Sequence, residues 1–572
     1  MESAIKRIIL AFFLEFAVFL LADVLAVCTG HTQTVDSLNV SSGGTSGSSG
    51  AMILTTIPMP DGKILAAGDA VKFVGSNNQS HTNLARINSD GSVDDAFVVN
   101  VAGAQPAGLF IDCLALQTNG QILIGGAFAN INGLAHYNIG RLYADGTLDT
   151  NFNAGYINDS INSVLVQPDG QILICGSFTK VDSKSCTGLC RLNYDGSLDA
   201  NFNAGSSNAV MSMALQSDGK IIAEGSFASI GGQSRTNLAR LNADGSFDSS
   251  FQPVVFTAFG QTGISGFGGA VLIQPDGKIL VGGLFDKVNG LSHTNIVRLN
   301  KDGTLDTAFN AQADLYDSWG LQTLALQTDG KILVGDDSLT LDGQSCPYLG
   351  RLNADGSLDA SFNTNLVGSG AMVFSSTAQQ DGKILTAGLF GKLGGLTRNE
   401  FGRLINTDAA TQSLDYDGTN IVWLRGGTSP EVWRASFEAS TNGADWIYLG
   451  DGCPIGSGWQ LTNILVSTNA TIRARGFVAG GRFDGSSWFV ESVYPQTTPT
   501  IVTSDGNLGF QTNQFGFNVG GSAGSTVVID TSSTLFDWTP MATNMLPSGP
   551  LYFNDPASTN FLQRFYRARL QQ

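Results

Sequence analysis

The stretch Ile273–Phe285, IQPDGKILVGGLF, sets Pro275-Asp276-Gly277 between two β-prone runs. Proline fixes φ at the first loop position, aspartate caps the turn through its side chain, and glycine supplies a positive φ. The stretch therefore reads as a hairpin tip. Its core recurs as MPDGKILAAG from Met59, QTNGQILIGG from Gln117, QPDGQILICG from Gln167 and QSDGKIIAEG from Gln216. Further copies are QPDGKILVGG from Gln274, QTDGKILVGD from Gln327 and QQDGKILTAG from Gln379, seven in all, 49 to 58 residues apart. One copy carries Asn119 where the others carry aspartate. An amide keeps the hydrogen bond of a turn but does not do the work of a general acid or base, so the position is loop chemistry.

A second motif follows each of the first six copies, from ARINSDGSVDDAF at Ala85 to GRLNADGSLDASF at Gly350. In each, an arginine precedes an aspartate by eight residues: Arg86 and Asp94, Arg141 and Asp149, Arg191 and Asp199, Arg240 and Asp248, Arg298 and Asp306, Arg351 and Asp359. A three-residue loop, Ser89-Asp90-Gly91 in the first copy, places Asn88 opposite Ser92 and Arg86 opposite Asp94 on one face. Such cross-strand pairs are worth about 0.2–1 kcal/mol when exposed and cost more to break when buried. The spacing predicts six internal Arg–Asp struts. The seventh repeat departs from the rule, with Thr411 eight residues after Arg403.

Each repeat thus reads as four short strands, and seven such units of about 50 residues imply a β-propeller, which leaves only short sheet edges. The last repeat lacks its fourth strand, while VDSLNV, Val35 to Val40, stands ahead of the first repeat. Within a closing segment at about 34–40, Ser37-Leu38-Asn39 is expected to supply the missing strand.

The string LQPDGKILVGG followed by RLN-x-DGSLD resembles the delta-60 repeat of bacterial secreted and surface proteins. The resemblance covers residues 51–405 and implies a propeller in an exported setting, without implying a catalytic activity.

With 30 Lys and Arg against 48 Asp and Glu, the formal charge is −18. No basic cluster exists to meet phosphates, which argues against nucleic-acid binding. At the N-terminus, Lys6 and Arg7 precede an apolar run from Ile8 to Leu21, and Val24 and Ala26 fit a signal-peptidase site. Residues 1–27 read as a signal peptide and 28–50 as a linker with the closing strand. LAVC at Leu25–Cys28 offers a lipoprotein cleavage site as the alternative. Either route exports the chain, with no membrane span in its mature part and a secreted or cell-surface destination.

Among the remaining cysteines, Cys175 and Cys190 fall on neighbouring strands of one repeat and form the expected pair, buried free thiols being the alternative. Asn353, Asp355 and Asp359 place oxygens around a glycine like the start of a calcium loop. That loop lacks its terminal glutamate, and Arg351 competes for Asp359, so no cofactor is expected and calcium stands as the rival. His81, His136 and His293 share a register position with Cys186, Arg235, Cys346 and Arg398. Ligands of one zinc ion must converge to about 2.0–2.3 Å, which residues spread around a ring do not do unless they lie at its axis. No nucleophile elbow, metalloprotease helix motif or phosphate loop is present.

The repeat stops after residue 408. Residues 413–494 alternate aromatics and polar residues as a small β-sandwich does, and Ser440–Trp446 weakly resembles the Asp-box hairpin of sialidase-like propellers. A Thr/Pro-rich link leads to a second such module at 501–572. Trp446, Trp459, Trp488 and Trp538 offer either a carbohydrate-stacking face or core residues. The sequence as a whole predicts an all-β chain, a seven-bladed β-propeller followed by two small β-sandwich modules. It reads as a monomeric, non-catalytic exported scaffold for a polysaccharide or a surface protein. The alternative is a glycan-active hydrolase or lyase with acidic residues at the propeller channel.

Overall fold

The computed structural model describes residues 33–570 apart from 39, 41, 45–50, 76–77, 104–108, 259–260, 263–268, 316–319, 338, 369, 407, 468–469, 495–499, 503–506, 512–513, 522–525, 535–536, 548–549 and 562. The signal-peptide and lipoprotein readings at 1–27 and Cys28 lie outside the described residues. Apart from two three-residue 3₁₀ turns, Arg482–Asp484 and Ser558–Asn560, every regular element is a strand. Among the described residues no helix is long and apolar enough to cross a membrane.

Each of the seven repeats folds as a three-stranded antiparallel sheet. The third repeat shows the pattern: Ile161–Val166 pairs with Ile172–Gly176, which pairs with Leu189–Leu192. The expected fourth strand is reduced to a single bridge, such as Leu192 to Leu198 or Leu299 to Leu305. The chain turns there because the Phe202 N–H bonds the Asp199 carbonyl, and the corresponding bond recurs from Phe97 to Asp94. The second-to-third-strand loop folds back as a small hairpin in six repeats, for example Asn130–Ile131 with Leu134–Ala135. In the first repeat that loop is absorbed into the long strand Ile64–Val74.

The first strands of the repeats are neighbours in cyclic order, Met52–Pro58 touching both Phe110–Leu116 of the second repeat and Met372–Ala378 of the seventh. Between successive repeats lie apolar cores fed from both sides. Leu173 and Cys175 pack with Val210 and Met213, and Leu385, Ala387 and Phe401 of the seventh repeat pack with Ile53, Ile64 and Phe73 of the first.

The junction of first and last repeats differs from the expected register. Thr34–Val35, not Ser37-Leu38, pairs with Phe401–Ile405, with Val35 opposite Leu404, and Asn39 of the expected strand lies outside the described residues. The Asp36 N–H bonds the Arg403 carbonyl at 2.8 Å, as the Asp94 N–H bonds the Arg86 carbonyl. Val35-Asp36 therefore stands where Val93-Asp94 stands in the first repeat, and Leu38 is buried in the core beyond it.

The cysteine pairing is also corrected. The disulfide joins Cys186 to Cys190, while Cys175 is a buried free thiol. Cys175 faces Leu189 in the sheet register and Cys190 faces Ile174. A one-residue offset sends side chains to opposite faces, and the two sulfurs indeed lie in different cores.

Beyond the repeats, Ala410–Tyr416, Ile421–Gly427, Gly458–Leu461 and Cys453–Ile455 form one four-stranded sheet. Arg434–Ser440, Ile447–Asp451, Thr471–Gly480 and Ser486–Tyr494 are joined in a second. The two share a core around Trp423, Phe437 and Trp459. The first of these strands begins ahead of residue 413. A further pair of sheets, holding Gln514–Gly520 and Thr526–Ser532, encloses Phe517, Val519, Val527 and Ile529.

Removing residues 33–38 is expected to lower the melting temperature sharply, and Asp36→Ala alone to lower it by part of that amount. An unchanged melt in either variant would mean that the seventh repeat is completed by other residues.

Candidate functional site

The arginine–aspartate pairs are formed from the hairpin register upward. Gly91 takes φ 93°, the Asn88 N–H bonds the Ser92 carbonyl at 2.8 Å, and Arg86 Nε donates to Asp94 Oδ2 at 2.8 Å. Arg141 to Asp149, Arg191 to Asp199, Arg240 to Asp248, Arg298 to Asp306 and Arg351 to Asp359 repeat the contact at 2.7–2.8 Å. A seventh pair exists across the chain ends, Arg403 to Asp36 at 2.7 Å. Six of the guanidinium groups also sit 4.6–4.9 Å over a phenylalanine ring, from Phe97 to Phe362, a cation–π contact that accounts for the terminal Phe of the motif.

Two partners were not apparent from spacing within the motif. The residue after each first-turn glycine reaches the same aspartate: Lys63 to Asp94 at 2.7 Å, Gln121 to Asp149 at 2.8 Å, Lys278 to Asp306 at 3.0 Å, Lys383 to Asp36 at 3.3 Å. Its signal was the invariable Lys or Gln in the DGK and DGQ strings. The second partner is the next repeat's turn. Arg141 Nη1 donates to the Tyr194 carbonyl at 2.6 Å, Arg191 to Ala243 at 2.7 Å and Arg298 to Ala354 at 2.6 Å. Arg86 reaches Ala144 and Arg240 reaches Lys301 in the same way, while Arg403 reaches back to the Ser89 carbonyl of the first repeat at 3.5 Å.

The remaining predicted residues are engaged locally. Asp355 Oδ1 accepts from the Ser357 N–H at 3.0 Å and its hydroxyl at 2.7 Å, and Asn353 Nδ2 donates to that hydroxyl at 3.1 Å. Asp359 is taken by Arg351 and Lys331. The His/Cys/Arg register positions stand at the bases of the small hairpins in six repeats, with His81 in strand Ser80–Ile87 of the first, and among the described residues they form no cluster that could hold a metal ion. His81 lies 3.5 Å from Asp95 instead. The four tryptophans do not share a face: Trp459 and Trp488 are buried, while Arg473 covers Trp446 and Arg567 covers Trp538. In the Asp-box-like turn, Asn442 Oδ1 accepts the N–H groups of Ala444 and Asp445 at 2.9 and 2.8 Å, a structural turn.

The centre of the cyclic arrangement is occupied by the chain itself. The hairpin Thr471–Gly480 and Ser486–Tyr494 runs between the first strands, bridging to Phe110–Leu116 in parallel through Ser487 and Ala115. Its tip bonds several repeats at once. Ser486 Oγ meets Thr55 Oγ1 at 2.8 Å and accepts the Leu114 N–H at 2.9 Å. The Val164 N–H donates to the Gly485 carbonyl at 2.9 Å, and the Phe483 N–H donates to the Gln322 carbonyl at 2.6 Å. Arg482 pairs with Asp112 at 2.9 Å. Phe483 and Asp484 both take positive φ, 52° and 51°, a backbone cost that persists only where surroundings impose it. A Cβ on Gly481 would meet Thr55 Oγ1 at 2.5 Å, and one on Gly485 would meet the Asn162 carbonyl at 2.4 Å, so the tip fits only with glycine at both places.

Charge is handled in two ways. Burial raises the strut carboxyls, but hydrogen bonds and nearby cations outweigh it. Asp359 is held down at about 2 by Ser361, Lys331 and Arg351, and Asp36, Asp94, Asp149, Asp199, Asp248 and Asp306 are all lowered. Burial instead wins at Glu224 and Asp484, pushed well above the usual carboxylate range. Asp484 Oδ1 accepts the Leu324 N–H at 3.1 Å. Among the described residues its Oδ2 and both Glu224 oxygens have no hydrogen-bond partner.

Six segments of the chain, residues 60–97, 117–152, 167–202, 216–251, 274–309 and 327–362, match the model of a family described as "Domain of unknown function (DUF5122) beta-propeller". Each segment ends on the phenylalanine beneath the strut arginine. These six segments are thus similar to the repeats of a β-propeller family. No curated protein matches it. Similar solved structures include a glycoside hydrolase, with 12% identity over 77% of this chain and 97% of that one and a TM-score of 0.23. Another is the V. cholerae biofilm matrix protein Bap1, with 12% identity over 90% and 84% and a TM-score of 0.24.

Two predictions follow from the charges. A carboxylate whose folded pKa is depressed contributes stability above its unfolded pKa, near about 3.9, and loses it as pH falls through the folded value. Melting temperature is therefore expected to fall steeply between about pH 4 and pH 2, and Asp149→Ala, whose pair is buried, is expected to cost about 3–5 kcal/mol. For Glu224 the sign reverses: a raised folded pKa means stability declines as pH rises above about 4.3. Glu224→Gln should raise the melting temperature more at pH 8 than at pH 5; equal shifts would contradict the burial of an uncompensated carboxyl.

Proposed function

We propose that the chain is an exported, monomeric, non-catalytic scaffold, a seven-bladed propeller carrying two β-sandwich modules, that recognises a polysaccharide or a surface protein. The observation that carries the reading is the filled axis. The position where a propeller has room for a reaction site holds the chain's own hairpin, with Asp112 bound to Arg482 and Asp484 to the Leu324 N–H. The repeated aspartates likewise face arginine and lysine rather than a cleft. What remains free to differ between repeats is the set of hairpin tips at the opposite end of the sheets from the Asp-Gly turns. There Leu134, Leu291 and Leu396 are half exposed, and Lys184, Gln233 and Gln344 take equivalent exposed places.

The test is a polysaccharide array with parallel assay of product release, using the chain from residue 33 onward. Retention on one polysaccharide class without new reducing ends or unsaturated products is expected. Turnover abolished by Asp112→Asn would overturn the non-catalytic reading.

A further inference from the structure

The hairpin of Cys453–Ile455 and Gly458–Leu461 leans toward the repeat turns Pro275-Asp276 and Thr328 and encloses a cleft of about 280 Å³ with Arg425 and Glu431 in its wall. Arg425 is only 5% exposed, and among the described residues none of its three guanidinium nitrogens has a hydrogen-bond partner. It sits over the face of Trp423, 4.8 Å from the ring centre. Burial pulls this guanidinium down to about 10, with Glu431 opposing, so at neutral pH it stays charged. A buried, charged fork of donors left unpaired is costly, and natural interiors satisfy such groups.

Glu431 is fixed from behind, its N–H on the Leu326 carbonyl at 2.8 Å and its Oε1 accepting the Val432 N–H at 2.9 Å. Asp276 also lines the cleft, with Oδ1 accepting the Lys278 N–H at 3.0 Å. Pro275, Pro454 and Trp459 supply apolar wall. The wall thus holds one unpaired guanidinium buried just behind its surface, the carboxyls of Asp276 and of Glu431, which burial pushes above the usual range, and a flat apolar surface.

We propose that this cleft binds a neutral sugar ring of a polysaccharide, with vicinal hydroxyls accepting from Arg425 and donating to Glu431 and Asp276. Hydroxyls are the group that both accepts and donates, and the guanidinium fork matches two neighbouring oxygens. Two carboxylates against one guanidinium disfavour a uronate, sulfate or phosphate, and the guanidinium disfavours a metal ion. The volume lies just below the ~300–1,000 Å³ of drug-sized sites, which suits one ring of a longer chain. The proposal rests on the polysaccharide arm of the functional reading and gives that arm a place, on the turn side of the repeats rather than at the hairpin tips.

The test uses isothermal titration of the chain from residue 33 with neutral cello-, malto-, manno- and chito-oligosaccharides and with oligouronates. Gly456, at the hairpin tip, lines the cleft, its Cβ position meets nothing within 4 Å and the residue is not in a left-handed conformation, so Gly456→Trp adds bulk at the cleft wall without a clash at Cβ. Arg425→Met removes the donors, with melting temperature as the control on folding. One neutral oligosaccharide is expected to bind wild type and to lose at least about tenfold in affinity in both variants. A Leu134→Asp, Leu291→Asp, Leu396→Asp triple variant is expected to retain it. Equal binding by Gly456→Trp, or preference for oligouronates, would overturn the cleft assignment alone. A wild-type chain that binds no glycan would overturn both the cleft and the polysaccharide arm, leaving the surface-protein arm standing.

Discussion

In six repeats an arginine grips its own repeat's aspartate through Nε and reaches the next repeat's turn through Nη1, and Arg403 makes both contacts through Nη2, which links local hairpin geometry to the arrangement of all seven sheets. The guanidinium is suited to both tasks because its donors lie in a rigid plane and it does not lose its charge. Buried ion pairs contribute little net stability by themselves, since desolvation offsets the attraction. Here the aspartate also receives a lysine or glutamine, and the guanidinium rests on a phenylalanine ring. The gain is in position: a turn carbonyl displaced by an ångström loses its donor. The apolar cores between repeats supply the bulk of the stabilising free energy, and the arginines fix the angle at which those cores meet.

That geometry makes closure a chemical requirement at the seventh repeat. Arg403 has no aspartate eight residues onward, and without one it would be a buried cation beside an unpaired strand edge. Asp36 supplies the carboxylate and Val35 the backbone pairing, so the first described residues complete the last repeat. Lys383 contacts Asp36 as Lys331 contacts Asp359, which shows the borrowed segment reproducing the whole polar cluster.

Repeats and struts were legible because hairpin register converts sequence interval into spatial opposition, so Arg86 and Asp94 meet by counting. The counting rule also contained the correct closing register: TVDSL at Thr34–Leu38 parallels SVDDA at Ser92–Ala96, and aligning on leucine instead of aspartate shifted the strand by three. The disulfide failed on parity, since strand adjacency does not place two side chains on one face. The Lys or Gln partner lies in a separate motif, 28 residues before its aspartate for Lys220 and Asp248. Apart from Asn406 Oδ1, which Arg351 meets at 2.8 Å, the inter-repeat acceptors are backbone carbonyls, which leave no residue-type signature at all. The cleft at Arg425 was invisible for a different reason, because it joins turns of two repeats to a hairpin far along the chain, at Cys453–Leu461.

The central hairpin follows from an unsolved edge. The first strand of each sheet presents N–H groups toward the axis, where, among the described residues, the single parallel bridge of Ser487 to Ala115 is the central hairpin's only strand pairing to it, and such edges must be covered. Some are capped by hydroxyls of the adjacent repeat, as the Thr56 N–H is by Ser375 and the Val271 N–H by Ser212, each at 3.2 Å. Others are met by the hairpin: Leu114 by the Ser486 hydroxyl, Val164 by the Gly485 carbonyl, Leu324 by the Asp484 carboxyl. Burial pushes Asp484 toward its neutral form, which suits this use, since a neutral carboxyl accepts a backbone hydrogen bond without bringing a full charge into the core. The tip's left-handed backbone and the raised carboxyl are then two costs of one solution, satisfying donors that the sheets alone leave open. Because the same hairpin belongs to the second sheet of the following module, that module is locked to the repeats through their centre. Its loops, including the one that forms the Arg425 cleft, are thereby held against the Asp-Gly turns.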